Sequence, residues 1–368
     1  MNYILPFLIL ITIVVFIHEY GHYYFAKKYG VGITDFSIGF GREIFGWNDK
    51  SGTRWKICWI PLGGYVKFFG DRNVFSESEQ QEVINKYNDE DKKKLFILKP
   101  LYQRSLIVAA GPLANFVLAI LIFAIINMTA GKDMTPAVIN EVQENSPAFV
   151  AGMKKNDKII SIDNKKVESI LEVSTFINTS TSETIEFVLL RNDQEISMLV
   201  KPNLVDGKDS LGNSVKKRMI GIKLSPLNNE FQKQPLGPSK AIYYSVKEVW
   251  FVTVTSLNYI GKMITGSADS SQLGGPIRIA KITGQVAEYG IVPFFSIMAY
   301  ISISLGLINL FPIPMLDGGH LMFYLIEKIL GKPLSQKTQE GFFRIGIFLL
   351  FSLMFFVTFN DLKDLGLF

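Results

Sequence analysis

His18, Glu19 and His22 stand in the run Phe16-Ile17-His18-Glu19-Tyr20-Gly21-His22, an H-E-x-x-H pattern. On a helix, residues four apart share a face, so the two imidazoles would lie one turn apart and could hold one zinc ion between them. Glu19, beside the first histidine, is placed to act as a general base on a water activated there. Short patterns recur by chance, but two features narrow this one. The chain has three histidines, and two of them are in the motif. The motif also ends an apolar run, residues 1–17, that carries no charged side chain. Ionisable groups at such a place are costly in lipid and mark function. The competing reading is a pair of interfacial histidines at the end of a membrane helix.

A second polar cluster, Asn309-Leu310-Phe311-Pro312-Ile313-Pro314-Met315-Leu316-Asp317-Gly318-Gly319-His320, closes a later apolar block. Pro312 and Pro314 cannot continue a regular helix. The backbone must unwind there, which at membrane depth happens where it lines a cavity. Asp317 supplies a carboxylate at the end of that uncharged run, and two histidines with one carboxylate make a catalytic zinc set with one open position. His320 could also ligate; with Asp317 completing the set, it reads as a neighbour of the site or a structural residue. Taken alone, this motif would equally suit a Pro-kinked helix end with Asp317 on the surface.

The elements that must position these residues are membrane helices. Apolar residues make up 48% of the 368-residue chain and charged residues 19%, below the roughly 25% of an average domain. About 20 apolar residues cross a bilayer as a helix. An apolar block at 3–25, carrying the motif in its second half, and uncharged blocks at 105–131, 289–316 and 341–360, the last interrupted by Arg344 near one end, predict four transmembrane helices. The first block has no basic start and leads directly into the motif, so it is expected to be retained rather than cleaved as a signal. Gly111, Pro112, Ala114 and Asn115 would admit a close neighbour to the second helix, with Asn115 bonding across to it or lying near the catalytic centre. The single cysteine, Cys58, excludes an intrachain disulfide and a multi-cysteine zinc site. A net charge of +5 without basic runs interleaved with aromatics gives no support for nucleic-acid binding.

Between the helices, 55–60 and 64–69 read as two β-runs turning at Pro61-Leu62-Gly63. That hairpin is apolar enough to dip into the membrane beside the site. Residues 76–99 are polar. From 134 to 225 charges are frequent, β-prone runs fall at 137–142, 158–162, 184–191 and 195–200, and a helix is expected at 169–178, which together predict a small α+β module. Residues 235–266 are amphipathic, with an uncharged part too short to span, and suit an interfacial helix. Segment 27–104 holds 14 Lys/Arg and 321–344 holds four, against none before the first span and Lys363 alone after the last. This bias, carried mainly by Lys27, Lys28, Lys99 and Arg104 at the span ends, puts those connections in the cytoplasm and the module with both termini on the opposite face.

In combination, His18-Glu19-x-x-His22, Gly111-Pro112-x-Ala114-Asn115 and the Asn309–His320 motif resemble the site-2 protease family of intramembrane zinc metalloproteases. Gly39-Phe40-Gly41, Pro61-Leu62-Gly63-Gly64-Tyr65-Val66 and Gly275-Pro276-Ile277 fit the same pattern, and residues 146–163 resemble the core of a bacterial PDZ domain. The resemblance covers nearly the whole chain and is nearest to the regulator-of-sigma-E branch. That branch usually carries two PDZ domains in tandem and this chain has room for one, so nothing assigned to a two-domain filter transfers.

The resemblance implies a polytopic α-helical membrane protein of four transmembrane helices, with a membrane-associated β-hairpin and one inserted α+β PDZ domain. Its parts would be 1–131, with two helices, the H-E-x-x-H motif and the hairpin; 132–228, the PDZ domain; 229–280, an amphipathic linker; and 281–368, with the last two helices. It implies one Zn2+ per chain on His18, His22 and Asp317, with Glu19 as the catalytic base. Asn309, Pro312 and Pro314 would bind substrate, and Gly64, Tyr65, Val66, Lys67 and Phe68 would pair with it as a strand. The implied partners are single-span membrane substrates such as anti-sigma factors and remnant signal peptides, already trimmed by another protease. Peptide ends at the PDZ domain and the lipid bilayer complete the list. The implied place is a bacterial inner membrane, with the PDZ domain extracytoplasmic and the active site near the cytoplasmic side. Two rivals stand beside it. A metal transporter would leave the module and the apolar hairpin without a role, and an inactive PDZ scaffold would have no use for Glu19.

Overall fold

The computed structural model describes residues 3–70, 87–180, 182–208, 214–226, 231–265 and 273–364. The chain forms two compact units, Met1–Ile122 with Leu273–Phe368, and Phe123–Gln272. The boundary therefore falls inside the second membrane helix, and the linker expected at 229–280 is divided between the two units.

In the first unit, α1 (Ile4–Lys28) is an apolar helix whose one proline, Pro6, lies in its first turn, where a missing N–H costs nothing. It ends on Lys27 and Lys28, whose charges suit a helix C-terminus. Gly30, at φ +66°, then turns the chain out. Two long strands follow, β1 (Ile33–Asn48) and β2 (Arg54–Phe68), paired antiparallel about residues 49–53. Asp49 ties that turn, accepting from the amides of Ser51 and Thr53 and from the Tyr23 hydroxyl of α1.

This corrects the expected hairpin about Pro61-Leu62-Gly63. Asp35–Ile38 of β1 is in register with Arg54–Ile57 on one side and with Gly64–Lys67 on the other. The two β-runs of β2 thus flank β1 instead of pairing with each other. Pro61 cannot donate to a ladder, and Gly63 at φ +128° lets the chain cross over there.

The helix α2 (Leu101–Thr129) leads from the first unit to the second. In the second unit, strands β3 (Ile139–Val142), β4 (Lys158–Ile162), β5 (Lys165–Lys166), helix α3 (Ile170–Thr179) and strands β6 (Ile185–Arg191) and β7 (Gln194–Val200) build the α+β module. The four-stranded sheet has the order β5-β4-β6-β7. Two-residue turns at Asp163-Asn164 and Asn192-Asp193, all four residues at positive φ, set its hairpins. Ile185, Phe187 and Leu189 alternate inward from β6 against Val173 and Ile177 of α3, forming one buried core. A further hairpin, β8 (Asn203–Lys208) with β9 (Ser214–Met219), and β10 (Ile222–Leu224), which pairs with β3, lie beyond the strands expected from sequence. The amphipathic stretch forms α4 (Pro238–Ile264). It is bound into this unit by Ser245, which accepts from the Asn127 side chain, and by Phe251 against Phe176.

The first unit resumes with α5 (Pro276–Glu288), α6 (Ile291–Asn309), α7 (Asp317–Leu330) and α8 (Gln336–Asp364). Buried Asp361 of α8 accepts from the amides of Gly275, Ile277 and Arg278, capping α5. Among the described residues, four helices, α1, α2, α6 and α8, are long and apolar enough to cross a membrane. The chain is a multi-pass membrane protein of α-helical spans with an α+β module between the second and third. The third apolar block is helical only to Asn309, and residues 310–316 unwind before α7 begins at Asp317.

Candidate metal centre

Two helices bring the first four residues of the site together by facing equivalent spacings. His18 and His22 stand four apart on α1, and Asn115 and Gly111 stand four apart on α2. The Asn115 side-chain nitrogen lies 3.3 Å from His18 Nδ1. A Cβ on Gly111 would come within 2.2 Å of His22 Nε2, so only glycine leaves room for that imidazole. His18 opposite Asn115 and His22 opposite Gly111 make α1 and α2 antiparallel. Their approach is close elsewhere too, since a Cβ on Gly21 would meet the Ala110 carbonyl at 2.3 Å. The expectation that small residues of the second helix admit a neighbour is met here by α1, and also by α6, where Gly306 faces the Pro112 carbonyl and the Ser302 hydroxyl donates to the Asn115 carbonyl.

The unwound segment delivers the carboxylate. Ile313 N–H donates to the Phe311 carbonyl and Leu316 N–H to the Ile313 carbonyl. Met315 is held at φ +89°, a strained conformation for a side chain of its size. Gly318 and Gly319 pack against the backbone of Leu310, Phe311 and Ile313 so closely that a Cβ at either would clash, and Gly346 of α8 closes on the Pro314 carbonyl. The loop is thereby folded back on itself, with Asp317 as the first residue of α7, where a helix N-terminus favours a carboxylate.

His18 Nε2 lies 3.1 Å from Asp317 Oδ2, His22 Nε2 3.6 Å from Asp317 Oδ1, and the two Nε2 atoms 3.2 Å apart. These three residues form the only such group of His, Cys, Asp or Glu ligand atoms among the described residues. Donors about 2.0 Å from a tetrahedral zinc lie about 3.3 Å from one another, so the observed edges fit that ion. The hydrogen bonding agrees. His22 Nδ1 is 2.9 Å from the Ile107 carbonyl, which can only accept. The proton of neutral His22 therefore sits on Nδ1 and the Nε2 lone pair faces the other two donors. Two Nε2 atoms and a carboxylate converging at this distance suit a cation between them.

Glu19 is half-buried beside this group, next to the open edge of β2. A Cβ on Gly64 would meet Glu19 Cγ at 3.3 Å, and the Val66 backbone makes a hydrogen-bonding contact with the Glu19 carboxylate. Phe69 N–H donates to the Gly32 carbonyl, so by strand alternation the amides of Phe68, Val66 and Gly64 face away from β1. No other strand among the described residues pairs with that edge. Of the five residues expected to pair with substrate, Val66 and Phe68 pack their side chains with Val31, Ile33 and Ala26. Tyr65 stacks on Phe40 and Lys67 is exposed.

Asn309 is half-buried at the end of α6, and Pro312 and Pro314 lie in the unwound loop ahead of Asp317. His320 lies outside the ligand group, its ring centroid 6.5 Å from Phe323 and 6.0 Å from Phe343. Sequence reasoning did not find the Ile107 carbonyl, which orients His22. A backbone acceptor leaves no mark in residue type.

Apolar spanning helices around an inward-facing pair of histidines and a carboxylate define the class, an integral-membrane protein with a candidate metal centre. The model of peptidase family M50 matches residues 6–353. The chain belongs to this family, the site-2 proteases. A protein of Agrobacterium fabrum, named "Putative zinc metalloprotease Atu1380", is 41% identical over 364 residues, covering 99% of this chain and 96% of its own length. "Metalloprotease MmpA" of Caulobacter vibrioides is 34% identical over 383 residues, covering 98% of this chain and 95% of its own. Such relatives imply zinc as the metal. The solved PDZ domain of an SdrC-like protein from Listeria monocytogenes aligns with 25% of this chain and 90% of itself at 22% identity, with a TM-score of 0.20, too low to carry a fold argument.

Proposed function

We propose that this chain is an intramembrane zinc metalloendopeptidase that binds one zinc ion through His18, His22 and Asp317 and cleaves the membrane segments of single-span proteins. The observation that carries the reading is the convergence of two Nε2 atoms and a carboxylate at 3.1–3.6 Å beside Glu19. Bound zinc supplies Lewis acidity, polarising the scissile carbonyl and acidifying the attacking water. Glu19 takes the proton from that water and returns it to the leaving amine. His22, held by the Ile107 carbonyl, keeps its lone pair on the metal side. The outward amides of Gly64 and Phe68, on either side of the Val66 contact with Glu19, offer an open edge on which an unwound substrate segment can be held by main-chain pairing. Asn309 at the end of α6 and Pro312 and Pro314 in the loop before Asp317 contribute to substrate binding.

The substrate class is a membrane segment left after another protease has trimmed its extracytoplasmic part, as with an anti-sigma factor or a remnant signal peptide. The PDZ-like module sits on the extracytoplasmic face of a bacterial inner membrane, where it captures peptide ends, while the zinc lies toward the cytoplasmic side. The test is cleavage of a trimmed single-span substrate by the full chain in proteoliposomes, with zinc flux followed in the same vesicles. Cleavage without flux supports the protease. Flux without cleavage would replace it with a transporter.

A further inference from the structure

Asn115 is fully buried, and His18 Nδ1 is the hydrogen-bond partner of its side chain; its Oδ1 has none. The amide therefore has no second anchor among the described residues and can turn over without change of shape, presenting either NH2 or oxygen to His18. The choice matters because a neutral imidazole carries one proton. With Asn115 donating to Nδ1, the proton of His18 sits on Nε2, pointing at Asp317 Oδ2 3.1 Å away. That arrangement blocks ligation by His18. With the amide turned, Oδ1 accepts from Nδ1–H and frees the Nε2 lone pair for the metal.

We infer that Asn115 is a positioning residue for the zinc site, whose carbonyl oxygen holds His18 in the tautomer that binds metal. It would do for His18 what the Ile107 carbonyl does for His22. The two histidines then differ in an instructive way. His22 is set by a fixed backbone acceptor, and His18 by a side-chain acceptor. Partners of this kind raise ligand basicity and typically change metal affinity or activity by about 10–100-fold.

This inference rests on the zinc reading above, and the experiment separates the two. The full chain in detergent is compared with Asn115→Asp, which keeps an acceptor, and Asn115→Leu, which keeps the size but no polar atom. Zinc affinity is read by competition with a chelator, and the cobalt-substituted proteins are compared by the intensity of their visible absorption, which reports tetrahedral geometry. The expected result is zinc held by Asp at least as tightly as by the parent, about 10–100-fold weaker binding for Leu, and loss of tetrahedral cobalt intensity in Leu alone. Should the Leu variant lose its helical circular dichroism, Asn115→Ala makes the same comparison. Parent-like affinity without an acceptor would overturn the inference, as would an Asp variant that binds as weakly as Leu. A parent chain that binds no zinc would remove the zinc reading and this inference with it.

Discussion

The metal centre and the core of the α+β module are both built from buried residues, but they are specified in opposite ways. In the module, large aliphatic and aromatic side chains fill space: Ile162, Ile185, Phe187 and Leu189 are fully buried among one another. In the site, side chains have been removed. Gly111 makes room for His22, Gly21 for α2, Gly318 and Gly319 for the folded-back loop, and Gly346 for Pro314. The module is held by volume and alternation, which tolerate moderate change. The site is held by backbone approach at contact distance, where one methyl group is too many.

That contrast can be broken or sharpened by experiment. The largest effect is expected in the module. Phe187→Ala removes a fully buried ring and should cost about 3–5 kcal/mol of local stability, read as faster hydrogen exchange in β4 and β6. Zinc content should not change, because Phe187 packs among residues of the module's own core. Parallel loss of zinc would show one cooperative core instead.

Gly111→Ala should act the other way, leaving module exchange untouched. Its new methyl would displace the His22 ring, and zinc affinity should fall about 10–100-fold, the range for disturbing a ligand's support. Unchanged affinity would mean that the close contact at Gly111 is not part of the site. Proline at Phe68 removes an outward amide but no β1–β2 hydrogen bond, and proline at Val66 also removes the backbone contact to Glu19. Cleavage should fall about tenfold, the loss of one good hydrogen bond, with peptide docking to the module unaffected; full activity in both variants would sink edge pairing.

The smallest effect is acid sensitivity. Asp157 is buried: burial alone would push its pKa up, but the Arg191 guanidinium, at 2.7 Å from each carboxylate oxygen, and the Lys154 amide hold it below the usual range. A carboxyl depressed on folding adds stability above its unfolded pKa of about 3.9 and loses it as pH falls through the folded value. Exchange protection in the module should therefore decline below about pH 4, and less so in Arg191→Ala. Equal acid sensitivity in both would assign the decline to other groups.

Much of this was legible in the sequence, for physical reasons that differ by region. His18, His22 and Asp317 stood out because ionisable groups at the ends of apolar runs are rare. Their meeting in one group is a property of the fold that spacing alone predicts only for the pair on α1. The strands at 158–162, 184–191 and 195–200 were readable because alternation and Asn/Asp turns agree there, and they occur within a residue of expectation. The long β1 was not. Gly39 and Gly41, both at φ +87°, interrupt its alternation, and without β1 the two runs of β2 had only each other to pair with. The Ile107 carbonyl was invisible because backbone groups are the same at every position. Asn115 was noticed as a polar residue facing a neighbour or lying near the catalytic centre, but its partner, His18, lies 97 positions away and could not be named.

The central claim is that Glu19 performs proton transfer at a zinc ion held by its neighbours. The direct test compares zinc content and cleavage of a trimmed single-span substrate for the parent chain and Glu19→Gln. The account predicts one zinc per chain in both, with cleavage reduced by about 10²–10⁴-fold in the variant, the usual worth of a general base. Cleavage by Glu19→Gln at the parent rate would contradict it.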